Sequence, residues 1–246
     1  MNLITIFNYP QDNENYTKMC MLWLYFAKKY HGSLNVKIYT KDGVNNEIKG
    51  IIKKYNFSLV IGECDDVRWQ EEKFKHNIGF KLFNLCNEVE PFVFIDADAF
   101  ILRCIDDLVA NSNGQKIVMV NHEKVEGHTS HFPYSFLNSG VQVCNDTSIL
   151  NYGEIIEEKI ISPGSDQSLL FSYFNSKGYD YTNPDIGFEW NSYAKNVILN
   201  KFNNEWFGNS EGLDYTHPVY INHYWYDAKP WKINCPIFNS YEDIPI

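Results

Sequence analysis

Two acidic residues directly follow a short apolar segment of the chain. The segment 92–95 reads Phe-Val-Phe-Ile, and Asp96 and Asp98 come next with one alanine between them. In an extended or tightly turned backbone, carboxylates one residue apart point toward a common cation, and hard oxygen ligands suit Mg²⁺ or Mn²⁺. Because acids at this spacing also end strands without any function, the prediction of a cation site depends on the apolar strand before them.

A phosphatase of the haloacid dehalogenase type is the alternative interpretation of the same pair. In those enzymes the first aspartate is a nucleophile, and the motif lies near the N-terminus with Thr or Val after it. Here the pair begins at residue 96, and Ala99 follows it. These departures favour the cation site and leave the phosphatase as the second hypothesis.

A histidine and a lysine late in the chain have types that suit the same chemistry. His223 ends the predicted strand 219–223, and Lys229 comes six residues later with Pro230 after it. An imidazole nitrogen binds Mn²⁺-type ions, and an ammonium binds phosphate as a point charge. A lone histidine is more often structural, so this prediction depends on the acid pair.

The segments around Asp96 alternate between strand and helix patterns, which indicates an α/β domain with a mostly parallel sheet flanked by helices. The first four predicted strands are 3–7, 36–39, 57–61 and 91–95. The predicted helices between them are 16–30, capped by Asp12 or Asn13, then a charged helix, then 74–86. Because such sheets bind ligands at the carboxyl ends of their strands, Asp96 and Asp98 are expected at a binding site.

The second half of the chain is less regular. Strands are predicted at 117–120, 141–144 and 219–223, and a helix at 166–174. Loops 121–136 and 201–217 carry residues that either contact a sugar acceptor or pack the loops down: His122, His128, His131, Phe132, Tyr134, Trp206, Phe207 and Tyr215.

Composition limits the classes of partner. The chain has 246 residues, which fits one domain over 1–246, and a formal net charge of -10. An acidic chain without a basic run does not attract nucleic acid or anionic membranes.

The start lacks a signal-peptide pattern, and no apolar run is long enough to span a membrane, so we expect a soluble, cytoplasmic protein. The 6 cysteines show no paired spacing and are expected to be buried free thiols.

Four short blocks in order resemble a known family. They are FVFIDADAFIL (92–102), FLNSGVQVCN (136–145), DQSLL (166–170) and the H-Y-x-x-x-x-K-P-W pattern (223–231). This set is similar to the retaining glycosyltransferases of family 8, which include glycogenin and lipopolysaccharide galactosyltransferases. The resemblance implies a GT-A fold, a UDP-sugar donor, Mn²⁺ (or Mg²⁺), and a hydroxyl acceptor on a saccharide, lipid or protein.

The resemblance also implies roles for individual residues. Asp96, Asp98 and His223 would bind Mn²⁺, and Lys229 would hold the pyrophosphate. Asp166 would bind hydroxyls of the donor sugar, and Gln167 would lie near the anomeric carbon; these two are the predicted catalytic residues. The other predicted donor-binding residues are Phe7, Asn8, Tyr9, Lys81, Ala97, Asn138, Ser139 and Asn191.

Two departures from the family pattern concern the sugar. Tyr226 stands where the family usually has glycine, and 162–165 (Ser-Pro-Gly-Ser) replaces a segment that often carries an acid. The donor sugar is therefore left open. A covalent intermediate would need a nucleophile on the opposite face of the sugar; Asp166 is the one acid nominated for this, and Gln167 is a poor nucleophile. For the reaction we therefore expect front-face attack, in which a phosphate oxygen of the leaving group takes the acceptor proton. A non-catalytic nucleotide-sugar-binding module is the third hypothesis.

Overall fold

A six-stranded sheet forms the centre of the protein in the computed structural model. The described residues are 1–8, 13–64, 78–121, 137–158, 166–192, 194, 196–200, 202, 205–209, 216–224, 229–232 and 235–239. The strands are β1 (Asn2–Ile6), β2 (Asn35–Thr40), β3 (Ser58–Ile61), β4 (Phe92–Ile95), β5 (Ala99–Ile101), β6 (Ile117–Asn121), β7 (Leu137–Cys144), β8 (Asn196–Asn200), β9 (Glu205–Asn209), β10 (His217–Pro218) and β11 (Ile221–His223). The helices are α1 (Glu14–Tyr30), α2 (Asn46–Tyr55), α3 (Ile78–Cys86), α4 (Asp106–Asn111), α5 (Tyr152–Glu157), α6 (Asp166–Lys177) and α7 (Pro236–Asn239), with 3-10 turns at Thr147–Ile149 and Phe188–Asn191.

The sheet order is β3-β2-β1-β4-β7-β6. Strands β3, β2, β1 and β4 are parallel, and β7 is antiparallel to both of its neighbours, β4 and β6. The predicted mostly parallel sheet is therefore confirmed. Because β7 runs against β4, its first residues lie beside the carboxyl end of β4.

Both faces of the sheet are covered, and β4 shows why its sequence is apolar throughout. Val93 and Ile95 pack into the core on the side of α1 and α2, whereas Phe92 and Phe94 pack into the core on the side of α3 and α6. All four side chains are fully buried. A strand covered on both faces needs a continuous apolar run, as the sequence predicted.

Helix α1 begins where its capping residue allows. The Asn13 side chain accepts hydrogen bonds from the backbone N–H groups of Asn15 (3.1 Å) and Tyr16 (3.3 Å), so Asn13 is the cap. The helix ends at Tyr30, and Gly32 follows with φ +61, a left-handed conformation that glycine adopts without strain.

Two smaller sheets complete the described part. Strands β5 and β11 pair antiparallel, and β8, β9 and β10 form a three-stranded sheet. The predicted strand 219–223 is thus shorter than expected, and it joins β5 rather than the central sheet. The predicted strand 141–144 is longer than expected, because β7 also includes the polar residues Asn138 and Ser139.

Among the described helices, none combines the length and apolar content that a membrane crossing requires.

All six cysteines are free thiols, as predicted. Cys20, Cys144 and Cys235 are buried, but Cys64, Cys86 and Cys104 are partly exposed, so the expectation of burial is right for only half of them.

Candidate active site

The two acids of the Asp-x-Asp segment lie in a tight turn at the carboxyl end of β4. The Asp96 N–H donates to the Gly140 carbonyl at 2.8 Å, which extends the β4–β7 ladder by one residue beyond Ile95. The Ala99 N–H then donates to the Asp96 carbonyl at 3.0 Å and closes the turn. The chain passes from the central sheet into β5, and Asp96 and Asp98 are left where parallel sheets bind ligands.

His223 reaches this turn from β11. Antiparallel pairing places His223 opposite Ala99, and the Tyr224 N–H donates to the Asp98 carbonyl at 2.8 Å. His223 Nε2 lies 3.3 Å from Asp98 Oδ1 and 3.8 Å from Asp96 Oδ2. One ligand atom from each of the three side chains lies within 4.8 Å of the others. A single cation can bridge atoms at these separations.

Gly140 on β7 lets the strand pass directly beside the three side chains. A Cβ at this position would lie 2.2 Å from His223 Cε1 and 2.8 Å from Asp96 Oδ2. It would also lie 2.6 Å from Asn138 Oδ1, which accepts the Gly140 N–H. Such distances are below any normal contact of a Cβ, so glycine is the residue that fits here.

An ammonium group joins Asp96 to a third acid. Lys81 Nζ, from α3, lies 3.2 Å from Asp96 Oδ1 and 2.9 Å from Asp166 Oδ2, and it donates to the Ser139 carbonyl at 3.0 Å. The ammonium also lies 4.3 Å from the centre of the Phe94 ring. Lys81 therefore holds the start of α6 against the ends of β4 and β7.

Lys81 and Asp166 keep each other in the charged form. Burial alone would lower the pKa of Lys81 and raise that of Asp166. The attraction of Asp166 and Asp96 for the ammonium outweighs burial and raises the pKa of Lys81, and the attraction of Lys81 for the Asp166 carboxylate lowers the pKa of Asp166. A hydrogen bond from the Ser139 side chain further lowers the pKa of Asp166. Asp166 is thus a carboxylate at neutral pH.

A second ammonium, that of Lys229, contacts the Oδ2 atom of Asp98. The segment that carries it is packed against the core through Trp231. The Trp231 ring meets Tyr16 of α1 edge-on, with centroids 4.9 Å apart, and lies 6.0 Å from the Phe238 ring of α7. Lys229 is therefore held beside the acid pair by aromatic packing two residues further along the chain.

The two paired acids differ in how easily they take a proton. Burial raises the pKa of Asp96, and the neighbouring Asp98 charge adds to this effect although Lys81 opposes it. Burial would also raise the pKa of Asp98, but the His223 ring and the Lys229 ammonium hold it below its ordinary value. A divalent cation would favour the ionised form of both.

The donor set fits a divalent cation of the Mn²⁺ type. Two carboxylates and one imidazole nitrogen converge, and the second ring nitrogen of His223, Nδ1, lies 3.2 Å from Asn191 Oδ1. Asp96 is the most exposed of the three ligands, with 30% of its side chain accessible, whereas His223 is 3% exposed. The site is therefore closed on the protein side and open toward solvent beside Asp96, which leaves room for further ligands from a substrate.

The structure brings most of the predicted residues together. Near Asp96 lie eight of the others: Lys81, Ala97, Asp98, Asn138, Ser139, Asp166, His223 and Lys229. Asn191 is fully buried behind His223. Gln167 is partly exposed in the first turn of α6. Their functional roles stay predictions.

The predicted nucleotide contacts lie at the end of β1. Phe7 is buried, and its ring packs edge-on against Trp23 with centroids 5.8 Å apart. Asn8 follows and is partly exposed. Trp206, predicted at the acceptor side, packs against Phe26 at 6.3 Å. Outside the described residues lie Tyr9, His122, His128, His131, Phe132, Tyr134, Tyr215, Tyr226 and the segment 162–165.

Three residues of the site were not identified from the sequence. Gly140 makes room for His223, Phe94 supports the Lys81 ammonium, and the Gln142 side chain donates to the Ser139 carbonyl at 2.6 Å. Gly140 lies inside the recognised FLNSGVQVCN block, which was the available signal. Its role depends on what approaches it in space, and no local pattern shows that.

Comparisons with known proteins identify the fold. No family model matches the chain, and a search of curated proteins gives no match. Among solved structures, the galactosyltransferase LgtC, in complex with donor and acceptor sugar analogues, matches with a TM-score of 0.60 and 11% identity over 99% of this chain and 95% of its own. Mouse xyloside xylosyltransferase 1 matches with a TM-score of 0.50 and 13% identity over 80% of this chain and 87% of its own.

The glycosyltransferase GlyE of Streptococcus pneumoniae TIGR4 also matches, with a TM-score of 0.50 and 13% identity. The match covers 74% of this chain and 44% of GlyE, so this chain spans less than half of that protein's length. At these identities the similarity establishes the fold and nothing finer. The chain has the GT-A fold that these glycosyltransferases share, as the resemblance in sequence implied.

We predict that Gly140→Ala weakens Mn²⁺ binding by at least about 10-fold, because the new methyl group displaces His223 and Asp96 from a common cation. Isothermal titration calorimetry on the nucleotide-free protein measures this affinity. Gly50→Ala is the matched control, since a Cβ on Gly50, exposed in α2, would meet nothing within 4 Å. The control is expected to bind Mn²⁺ normally and to gain about 1 kcal/mol of stability from helix propensity. Normal Mn²⁺ binding by Gly140→Ala would contradict the site geometry.

We also predict that Lys229→Met tightens Mn²⁺ binding to the nucleotide-free protein, on the order of 10-fold, because an ammonium in contact with Asp98 competes with the cation. If the chain binds UDP as the resemblance in sequence implies, the same variant should bind it more weakly in the presence of Mn²⁺, since the ammonium that would donate to phosphate is lost. Calorimetric titrations with Mn²⁺ and then UDP measure both effects. Lys232→Met, an exposed lysine three residues away, controls for the change in net charge. Unchanged or weaker Mn²⁺ binding would show that Lys229 does not compete for Asp98.

Proposed function

We propose that this chain is a metal-dependent glycosyltransferase that moves a sugar, with retention, from a UDP-sugar to a hydroxyl group of a saccharide, lipid or protein. The observation that carries the proposal is the convergence of Asp96, Asp98 and His223 within 4.8 Å, at the carboxyl end of β4 in a GT-A fold. A single domain over residues 1–246 and membership of family 8 are parts of the same proposal.

Lys229 supports a diphosphate as the ligand. A diphosphate leaving group carries negative charge that must be neutralised as the bond to the sugar breaks. Mn²⁺, when bound, would act as a Lewis acid on the phosphate oxygens. The Lys229 ammonium lies beside Asp98 and is held there by Trp231, so it is placed to donate to a phosphate at the same edge of the cluster.

The Lys81–Asp166 pair supports a sugar on the other side of Asp96. Asp166 is ionised, partly exposed and held by Lys81 at 2.9 Å, and its carboxylate has further lone pairs with which to accept a hydrogen bond from a hydroxyl group. Ser139 of β7 also contacts this pair, because its carbonyl accepts a hydrogen bond from Lys81, and Asn138 precedes it on the same strand. Gln167 follows Asp166 on α6 and is the second residue proposed to contact the sugar.

Front-face attack is the proposed course of the reaction. A double displacement would need a free carboxylate behind the anomeric carbon, whereas the Asp166 carboxylate is tied to Lys81, which makes it a poor nucleophile. In the proposed step the bond between the anomeric carbon and the diphosphate oxygen breaks with its electron pair leaving on the diphosphate. The acceptor oxygen bonds to the same face of the carbon, and its proton moves to a phosphate oxygen. Asp166 and Gln167 hold the sugar during this exchange.

We predict that UDP raises the melting temperature only when Mn²⁺ is present, because a ligand that binds the native state alone stabilises it by mass action. Asp98→Asn should abolish the effect, since it removes a ligand charge that the surrounding groups keep ionised. Asp107→Asn, an exposed acid on α4, is the matched control and should respond as wild type does. A thermal-shift panel of nucleotide diphosphates and UDP-sugars measures this, and the largest sugar-specific rise identifies the donor.

No rise with any nucleotide would contradict the transferase. Hydrolysis of a phosphate ester by the same preparation would then favour the phosphatase. A Mn²⁺-dependent rise with UDP-sugar but no transfer to any acceptor, and no hydrolysis of the donor, would favour the non-catalytic binding module.

We predict that Asp166→Asn lowers kcat about 10- to 100-fold but does not abolish turnover, which is the effect of losing one charge-assisted hydrogen bond to the substrate. Intact-mass spectrometry of wild type incubated with donor and no acceptor should show no glycosyl adduct. An adduct that maps to Asp166 would establish double displacement instead.

A further inference from the structure

Asn191 is a fully buried polar residue with all of its contacts inside the protein. It lies at the end of the 3-10 turn Phe188–Asn191 and has an exposure of 0%. Its Nδ2 atom donates to the Val120 carbonyl at 3.1 Å and to Asn138 Oδ1 at 3.4 Å. Its Oδ1 atom lies 3.2 Å from His223 Nδ1. A buried amide with three partners is costly to reorient, because any other arrangement leaves polar groups unpaired.

The partners determine which way the Asn191 amide points. The Val120 carbonyl can only accept a hydrogen bond, and Asn138 Oδ1 is assigned as an oxygen because it accepts the Gly140 N–H at 2.6 Å. The Asn191 NH₂ group must therefore face these two atoms, and its oxygen must face His223. Since an amide oxygen only accepts, His223 Nδ1 must carry a hydrogen.

A hydrogen on Nδ1 determines what the other ring nitrogen of His223, Nε2, can do. With Nδ1 protonated, a neutral His223 presents the lone pair of Nε2, which lies 3.3 Å from Asp98 Oδ1 and 3.8 Å from Asp96 Oδ2. A lone pair opposite two carboxylates is repulsive unless a proton or a metal ion lies between them, and a metal ion would take the place of the proton that hydrogen-bonds to Asp98. The tautomer set by Asn191 is thus the one in which all three groups offer electron pairs to the same cation.

We propose that Asn191 is a positioning residue that holds His223 in its metal-ligating tautomer and so gives the site its preference for Mn²⁺ over Mg²⁺. This inference rests on the metal site of the proposed function. Mg²⁺ binds mainly through oxygen ligands, whereas Mn²⁺ also accepts an imidazole nitrogen readily. The affinity for Mn²⁺ therefore depends on the orientation of the ring, and the affinity for Mg²⁺ depends mainly on the two carboxylates.

The backbone holds Asn191 and His223 in register with each other. The Ser192 N–H donates to the Ile221 carbonyl at 2.9 Å, and the His223 N–H donates to the Ser192 carbonyl at 2.8 Å. Ser192, the residue after Asn191, is thus hydrogen-bonded to β11 through both its N–H and its carbonyl. The ring also has little space to turn, because Gly140 lies directly against Cε1.

The test is the affinity of the nucleotide-free protein for Mn²⁺ and for Mg²⁺, each measured by isothermal titration calorimetry. Asn191→Leu should weaken Mn²⁺ binding about 10- to 100-fold, the usual effect of losing the hydrogen-bond partner of a metal-ligating histidine. Mg²⁺ binding should change by less than about 3-fold. Asn191→Asp keeps an acceptor toward Nδ1 but turns its second oxygen toward the Val120 carbonyl and Asn138 Oδ1, which only accept. It should therefore lose less Mn²⁺ affinity than Asn191→Leu, although it should melt at a lower temperature than wild type.

Asn222→Leu is the matched control. Asn222 is also 0% exposed and is the neighbour of His223 on β11, but its amide pairs with the backbone of Ala194, at 2.9 Å and 3.1 Å. This variant loses an equally buried amide without touching the His223 ring, so its Mn²⁺ affinity should remain near that of wild type. Circular dichroism and melting temperatures show which variants are folded.

A second readout examines the ring directly. In protein labelled with ¹⁵N-histidine and loaded with diamagnetic Zn²⁺, wild type and Asn191→Asp should show a slowly exchanging Nδ1 hydrogen on His223, assigned by its loss in His223→Gln. A slowly exchanging hydrogen at Nε2 in wild type would overturn the inference.

The calorimetric outcomes separate the two proposals. Wild-type affinity in Asn191→Leu, or an equal loss in Asn191→Leu and Asn222→Leu, would overturn the role of Asn191 and leave the proposed function intact. A wild-type protein that binds neither cation would overturn the metal site of the proposed function and this inference with it.

Discussion

Three carboxylates, those of Asp96, Asp98 and Asp166, converge at the end of β4, and like charges this close repel unless cations lie between them. Lys81 separates Asp96 from Asp166, and Lys229 contacts Asp98. Among the lysines that the structure describes, none contacts the oxygens of Asp96 and Asp98 that face the His223 ring, and these are the ligand atoms that lie within 4.8 Å of each other. The arrangement of the surrounding chain follows from the need to hold these groups together.

The sheet supplies the rigidity that such a cluster requires. β4 is buried on both faces and ends directly at Asp96, so the acid cannot retreat into solvent without disturbing the core. β7 returns alongside it, with Gly140 at the point of closest approach. The small β5–β11 ladder then places His223 opposite Ala99. Ligands from the turn after β4 and from β11 thus meet at one place although the sequence separates them widely.

Asp96 belongs to two sets of contacts at once. On one side it faces His223 and Asp98, and on the other it contacts Lys81, which also binds Asp166. A group bound to the cation side and a group bound to the Lys81 side would therefore lie on either side of a single carboxylate. In the proposed function these groups are the diphosphate and the sugar, and the bond that breaks is the one between them. In the proposed function, the Asp96 carboxylate would therefore contact both the cation under the diphosphate and the lysine beside the sugar.

Local patterns in the sequence were enough for the strand–helix alternation up to Asp96, because burial on both faces demands a continuous apolar run such as 92–95 and amphipathic helices demand their own period. They were also enough to nominate the acid pair, His223 and Lys229, because residue type limits which ligands and charges are available, whereas Lys81 and Asp166 were nominated by the resemblance to family 8. Only the tertiary structure decided how these groups relate. Contacts between residues far apart in the chain determine three features of the site: the pairing of β11 with β5, the close approach of Gly140 to His223, and the burial of Asn191 behind the histidine ring. Periodicity records which face of an element is buried, but it carries no information on what packs against that face, and the geometry of the site is set by that packing.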